Sequence, residues 1–206
     1  MDYFLLLSKK DRGCPEVQSA ILYDKFYVSK NAEKIDIGNY SWYKNLYPND
    51  IPFQEKLFFI AKDKLWDFDI RRDSIRFSIV SEEFLALLKR FSAPIRSCVR
   101  VTVCSKIGKP ISIRNYYAVA FTPVEIKDVA DESSCYEIWE PRTVIRIDKL
   151  VIRNSFSEHF TMIAHAPCCP SICSEEFYKA AIEMGTKGIE FTPVKQFRWE
   201  EEFIPI

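Results

Sequence analysis

Residues 171–194 constrain the fold more than any other stretch, because they read as a capped helix that returns into a strand. Ser174 can accept a hydrogen bond from a free N–H of the first helical turn, and the two glutamates after it favour that end of the helix dipole. Apolar residues then recur at helical spacing, at Phe177, Ala181 and Met184. Gly185 and Gly188 permit a left-handed turn into the following strand.

The opening of this helix occurs a second time in the chain. Residues 78–84, Ser-Ile-Val-Ser-Glu-Glu-Phe, match residues 171–177 at every position but one. Apolar residues follow at the same helical spacing, at Leu87, Leu88 and Phe91. The match predicts a second capped amphipathic helix. It arises either from a duplicated lobe or from two helices that solve the same capping problem.

Composition and charge exclude several classes of protein. Of the 206 residues, 48% are hydrophobic and only five are glycine, which is typical of an ordered globular protein. The 29 basic and 29 acidic residues cancel, so no overall field attracts the chain to nucleic acid or to an anionic membrane. We therefore expect neither a nucleic-acid nor a membrane partner.

The apolar segments and the cysteines predict a cytoplasmic location. No run approaches the roughly 20 apolar residues that cross a bilayer. The apolar run Phe4–Leu7 is too short for the core of a signal peptide. In the cytoplasm the seven cysteines are expected to be reduced, and their odd number argues against a disulfide framework.

Many short runs of β-branched and aromatic residues predict strands. In the clearest run, Val99, Val101 and Val103 alternate with polar residues. Strands are also expected at residues 65–70 and 143–152, and a loss of alternation near Lys149 in the second predicts a bulge or tight turn. An acidic loop is expected at residues 128–134. Together these features predict an α+β fold with a largely antiparallel sheet and two capped amphipathic helices.

A domain boundary is expected after the first helix, because Pro94 cannot donate the next helical hydrogen bond. It would separate a strand-rich N-terminal lobe, residues 1–95, which ends in a helix, from a C-terminal lobe, residues 96–206. The two lobes would be similar if the repeat is a duplication. One compact domain is the alternative.

The sharpest chemical candidate is the cluster of His165, Cys168, Cys169 and Cys173. Zinc prefers thiolate and imidazole ligands, but adjacent cysteines point in different directions and no second Cys-x-x-Cys pair follows. A thiol nucleophile paired with His165 is the other interpretation, although no orienting group is evident. Established enzyme motifs are absent from the sequence. We therefore expect no metal, no cofactor and no catalytic residue, with an enzyme or metal-binding protein that uses this cluster as the alternative.

Two aromatic-rich segments have two interpretations each. Residues 31–52 are either an ordered connection whose aromatics cover the core or an exposed partner-binding surface. The C-terminal segment, residues 196–206, either attaches to the fold through its aromatics or presents an acidic and aromatic surface to a basic partner. On the second interpretation, Trp199, Glu200 and Glu201 are the expected partner contacts.

From about Asp73 to Val194 the chain resembles the bacterial immunity protein 43 family. The resemblance is carried by residues 78–84, 116–121, 129–133, 172–177 and 188–194. The chain departs from the family's pattern before the closing helix. It has His159-Phe160-Thr161 near the place where the family usually has a Phe-Arg pair.

The resemblance implies a non-enzymatic immunity protein of a polymorphic toxin system. Such a protein would act in the cytoplasm by binding and neutralising a cognate toxin that a neighbouring cell delivers, for example by type VI secretion. The resemblance implies an architecture and carries the function by analogy.

Overall fold

The computed structural model describes residues 2–14, 20–27, 40, 53–62, 64–72, 77–139, 143–166 and 171–200. The strands in these residues are β1 (Tyr3–Ser8), β2 (Ala20–Tyr23), β3 (Leu57–Ala61), β4 (Ile70–Arg72), β5 (Ser78–Ser81), β6 (Ile95–Ser105), β7 (Tyr116–Phe121), β8 (Cys135–Trp139), β9 (Thr143–Lys149), β10 (Phe160–Thr161), β11 (Ile172–Ser174), β12 (Ile189–Pro193) and β13 (Trp199–Glu200). The helices are α1 (Glu82–Arg90), α2 (Ile126–Val129) and α3 (Glu175–Glu183). The predicted α+β class is confirmed.

The strands form three sheets. A six-stranded sheet has the order β2-β3-β6-β7-β5-β4, a four-stranded sheet the order β10-β11-β1-β12, and a three-stranded sheet the order β13-β9-β8. The β3–β6 pair is parallel and the other pairs are antiparallel. The expectation of largely antiparallel sheets is confirmed.

Both capped helices form where the sequence predicts them. Ser81 Oγ accepts from Phe84 N at 3.1 Å, and Ser174 Oγ accepts from Phe177 N at 3.3 Å. The predicted apolar face of α3 is only partly correct. Phe177 is fully buried, but Met184 is 37% exposed because it follows the last helical turn as the C-cap.

Two core clusters connect the sheets. One joins α1 and α3 to strands of the six-stranded and four-stranded sheets, with Phe84, Phe160 and Phe177 at its centre. The other places β1 and α2 against the inner side of the three-stranded sheet, where Val144 and Ile147 are buried. The three-stranded sheet is therefore held on its inner side, which leaves β8 and its neighbours at the surface.

One local prediction is wrong and another is correct only in part. Residues 65–70 were expected to be a strand, but β4 begins only at Ile70. Trp66 and Phe68 are both fully buried, so the apolar residues alternate as they would in a strand. The backbone, however, is not paired as a strand here, because Trp66 N and Asp67 N donate to the carbonyl groups of Ile111 and Gly13. The expected acidic loop at residues 128–134 is correct only after α2, which includes Asp128 and Val129.

The irregularity predicted near Lys149 is confirmed. Cys135 pairs with Lys149 and Tyr136 pairs with Ile147, so Asp148 has no opposite residue in β8. An extra residue of this kind is a β-bulge.

Strands from both sides of residue 95 share sheets. β3 and β5 pair with β6 and β7 in the six-stranded sheet, and β1 pairs with β11 and β12. The division into lobes 1–95 and 96–206 stays a prediction. Of the aromatic-rich segment 31–52 only Tyr40 belongs to the described residues, and its hydroxyl donates to Asp24 Oδ1 at 3.0 Å.

Candidate functional site: the outer side of the three-stranded sheet

β8 forms one edge of the three-stranded sheet. It pairs with β9 on one side, and no strand in the described part of the chain pairs with its other side. Tyr136 lies opposite the buried Ile147, whereas Glu137 lies opposite Arg146. Residues directly opposite each other in an antiparallel pair share a face of the sheet. Tyr136 therefore faces the core, and Glu137 faces outward.

Two large apolar side chains are exposed at the end of β8. Ile138 is 47% exposed and Trp139 is 59% exposed. Ile138 lies opposite the buried Val144 at the rim of the inner face, whereas Trp139 lies opposite Thr143. The outward side chains of the two strands form what we call the β8/β9 surface: Glu137, Trp139, Arg146 and Asp148. An exposed aromatic side chain beside charged groups is typical of protein–protein interfaces.

The charged groups of the β8/β9 surface are paired with one another. Arg146 Nε donates to Asp148 Oδ1 at 2.9 Å, and Arg146 Nη1 lies 3.8 Å from Glu137 Oε1. Cys135 Sγ lies 3.6 Å from Asp148 Oδ2. One arginine therefore serves two carboxylates, which leaves this surface with a net negative charge.

The chain that leads into β8 is acidic as well. Residues 122–134 carry four acidic residues and one basic residue, a formal charge of −3. Residues 143–153, which include β9, carry a formal charge of +2. The whole region stays acidic in a chain of zero net charge, so it favours a basic partner.

The structure places two of the three predicted partner contacts in this sheet. β13 pairs with β9, with Trp199 opposite Ile147 and Glu200 opposite Arg146. Trp199 is half-buried and shares the face of the buried Ile147, so it also attaches the C-terminal segment to the fold. Glu201 lies outside the described residues. The role of these residues in binding stays a prediction.

Sequence reasoning missed Ile138 and Trp139. The run Tyr-Glu-Ile-Trp over residues 136–139 is rich in aromatic and branched residues and predicts a strand correctly. Its composition does not show that the strand lies at a sheet edge with its last residues exposed. The only local signal was a pair of adjacent large apolar residues between Glu137 and Glu140, at the end of an acidic segment.

The position of Cys173 does not support the alternative metal or nucleophile site at His165, Cys168, Cys169 and Cys173. This residue is fully buried in the core, and burial raises the pKa of its thiol well above the ordinary value. A buried protonated thiol is a poor nucleophile and a poor metal ligand. The carbonyl of His165 accepts from Val144 N at 2.9 Å. Cys168 and Cys169 lie outside the described residues. Among the residues that the structure describes, no three His, Cys, Asp or Glu side chains are grouped to hold a metal ion.

A second cluster of charged residues lies inside the fold. Asp69 Oδ1 accepts from Ser81 Oγ at 2.6 Å and from Arg114 Nη1 at 2.7 Å. Asp67 Oδ2 accepts from Lys187 Nζ at 2.7 Å. Asp67 Oδ1 lies 2.9 Å from Arg114 Nε as an ion pair, although without the geometry of a hydrogen bond. The acids and bases of this cluster bind one another across distant parts of the chain.

Arg71 connects this part of the fold to the backbone at Gly188 and Lys9 by hydrogen bonds. It is 2% exposed, and its guanidinium donates to the carbonyls of Gly188 and, at 2.8 Å, Lys9. A Cβ atom on Gly188 would lie 2.7 Å from Arg71 Nη2 and 2.9 Å from Cys14 Sγ, so glycine is required there. We infer that the cluster stabilises the fold, since its groups are engaged with each other.

The comparison with known families fits a protein that acts by binding a partner. The family model of Immunity protein 43 matches residues 7–201, and the chain therefore belongs to this family. The match also covers most of the N-terminal 70 residues, where the sequence alone showed no resemblance. No curated protein matches the chain. None of the described helices is long and apolar enough to cross a membrane.

Proposed function

We propose that this protein neutralises a cognate bacterial toxin by binding it directly through the β8/β9 surface. Membership of an immunity-protein family supports a toxin partner in general. The choice of surface rests on Trp139, which is 59% exposed at the end of an edge strand. Tryptophan is enriched among the few residues that supply most of the energy of an interface.

The charge of the surface indicates the complementary chemistry of the toxin. Glu137 and Asp148 outnumber Arg146, and the preceding segment is acidic. Acids that face a basic toxin cleft accelerate association and set the orientation of the complex. The inhibitor would then occlude the toxin's active site or its substrate-binding surface without any chemistry of its own.

β13 carries Trp199 and Glu200 at the opposite edge of the same sheet, and with Glu201, which follows them in the sequence, they complete the proposed contact. β9 separates β13 from β8, so adjacent strands at about 4.8 Å spacing place the two edges within one interface of standard size. We propose that this binding occurs in the bacterial cytoplasm, as part of a polymorphic toxin system.

Co-purification of the tagged protein with the toxin encoded by the neighbouring gene tests the proposal, together with growth of cells that express that toxin. We expect a stoichiometric complex and restored growth. Trp139→Ala should weaken the complex by about 30-fold or more, the effect of losing about 2 kcal/mol at an interface hot spot. Its thermal midpoint should change little, because the side chain is largely exposed.

Ile182→Ala is the matched control, since Ile182 is 54% exposed on α3, outside this sheet. It should bind the toxin as the native protein does. Triple alanine substitution of Trp199, Glu200 and Glu201 tests the second edge separately. Restored growth without a complex would contradict neutralisation by contact and indicate an enzyme that reverses the toxin's damage. If Trp139→Ala leaves the affinity for the toxin unchanged, the proposed function would still stand, but the choice of the β8/β9 surface would be wrong.

A further inference from the structure

The connection between β6 and β7, residues 106–115, is basic and contains no acidic residue. Its sequence, Lys-Ile-Gly-Lys-Pro-Ile-Ser-Ile-Arg-Asn, has a formal charge of +3. Arg114 is paired with Asp67 and Asp69, so its charge is already engaged. Lys106 and Lys109 lie near the start of the connection.

Two isoleucines of this connection are strongly exposed. Ile107 is 74% exposed and Ile113 is 73% exposed, more than any other large hydrophobic residue that the structure describes. Burial of an exposed isoleucine against a partner removes apolar surface from water and favours binding. The connection therefore combines unneutralised positive charge with apolar side chains.

Hydrogen bonds within the connection support its conformation. Ser105 N donates to Lys109 O at 2.8 Å, and Gly108 N donates to Ser105 O at 2.9 Å. Arg114 N donates to Ser112 Oγ at 3.1 Å. A surface that is already ordered loses less conformational entropy when it binds.

A shallow depression of about 480 Å³, wide open to the surface, lies along this connection. Its lining includes Lys62, Lys64, Lys106 and Lys109, and its apolar part comprises Ala61, Ile107, Pro110 and Ile111. We call this the lysine groove. The four lysines and Asp63, between Lys62 and Lys64, sum to a formal charge of +3. No acidic side chain in the described ranges forms an ion pair with any of the four lysines.

We propose that the lysine groove binds an acidic segment of a protein partner, with an aliphatic side chain of that segment packed on Ile107. Carboxylates would pair with the lysines, while the isoleucine supplies the apolar contact at the centre. Aromatic stacking and arginine forks, which are common in sites for single-stranded nucleic acid, are not features of the groove's lining. The charge is opposite to that of the β8/β9 surface, so this inference does not rest on the proposed function.

Fluorescence anisotropy with a labelled peptide of alternating glutamate and leucine tests the groove on the full chain. A glutamate–serine peptide of the same length measures the electrostatic contribution to binding alone. A lysine–leucine peptide tests whether the apolar side chains bind without the negative charge. We expect binding of the glutamate–leucine peptide that weakens as salt is added, and weaker binding of the other two.

Variants of the groove and of remote lysines complete the test. Lys106→Glu with Lys109→Glu should weaken peptide binding at least tenfold, and Ile107→Ser should weaken it several-fold. Lys127→Glu with Lys149→Glu reverses the same number of exposed lysines elsewhere and should have little effect. Equal losses in both double variants, or no effect of Ile107→Ser, would overturn the proposal. So would tighter binding of single-stranded DNA or of phosphatidylserine vesicles than of the peptide.

Discussion

The two strand–helix units of this protein, Ser78–Arg90 and Ile172–Glu183, have nearly the same opening sequence but different tertiary partners. Their N-caps are alike, with φ and ψ of −68° and 161° at Ser81 and −69° and 162° at Ser174. Both caps are fully buried, and both accept from the backbone N–H three residues later. The local motif is therefore the same in both units.

The partners of the two serine hydroxyls differ. Ser81 Oγ donates to Asp69, which also accepts from Arg114 inside the buried charge cluster. Ser174 Oγ lies 2.9 Å from Nδ1 of His159, which is partly exposed and 3.4 Å from Glu176 Oε2. A capping motif determines where a helix begins, but it does not determine the second hydrogen-bond partner of the capping hydroxyl.

The largest expected effect concerns the contact between the two helices. The rings of Phe84 and Phe177 are both fully buried, with centroids 5.9 Å apart. Phe84→Ala and Phe177→Ala should each lower the free energy of unfolding by about 3–5 kcal/mol. The double variant should lose less than the sum because the rings contact each other. Urea unfolding measures these values, and the milder Phe→Leu variants serve if the alanine variants do not fold. Strict additivity would mean that the helices are energetically independent.

The next effect distinguishes the two caps. Ser81→Ala should cost about 3 kcal/mol, because it removes the helix cap and a hydrogen bond to a buried carboxylate. Ser174→Ala should cost about 1–2 kcal/mol, since its second partner is a partly exposed histidine. Urea unfolding of both variants checks the order. The cost of Ser81→Ala should fall in an Asp69→Asn background, and equal costs for the two serines would refute the comparison.

The ends of the two helices provide a third test. α1 is followed by Ser92 with φ of 52°, whereas α3 is followed by Gly185 with φ of 71°. Gly185→Ala should cost about 1 kcal/mol through backbone strain alone, since no atom lies within 4 Å of the added Cβ. Ser92→Gly should stabilise by a few tenths of a kcal/mol to about 1 kcal/mol. Thermal unfolding measures both, with Glu183→Ala as a neutral surface control. A stabilising Gly185→Ala would contradict the strain argument.

The smallest effect depends on pH. Hydrogen bonds from Asn115 and Tyr117, with the charge of Arg100, lower the pKa of Glu82 below its ordinary value of 4.5. The stability that Glu82 contributes is therefore present above pH 4.5 and is lost as the pH falls through its lowered pKa. Glu82→Gln should lower the thermal midpoint slightly at neutral pH and leave it unchanged in strong acid. A difference that grows on acidification would have the wrong sign.

The candidate binding site was only partly predictable from sequence. The composition of the C-terminal segment led to Trp199 and Glu200, and the structure places both beside β9. The same reasoning missed Trp139, because its exposure depends on β8 being an edge strand. Trp66 shows the same limit in reverse, since it also lies in a short run of apolar and acidic residues but is fully buried. Residue type alone does not separate an anchor of the core from an anchor for a partner.

The sequence by itself determined where both helices begin, the bulge near Lys149, the α+β class and the family. These features depend on neighbouring residues: a serine beside free N–H groups, the period of apolar positions and a break in that period. The tertiary structure alone decided that Ser81 meets Asp69, that Asp67 and Asp69 share Arg114, and that Trp139 faces solvent. Those contacts join segments far apart in the chain, and their energies depend on burial and distance, which no local pattern contains.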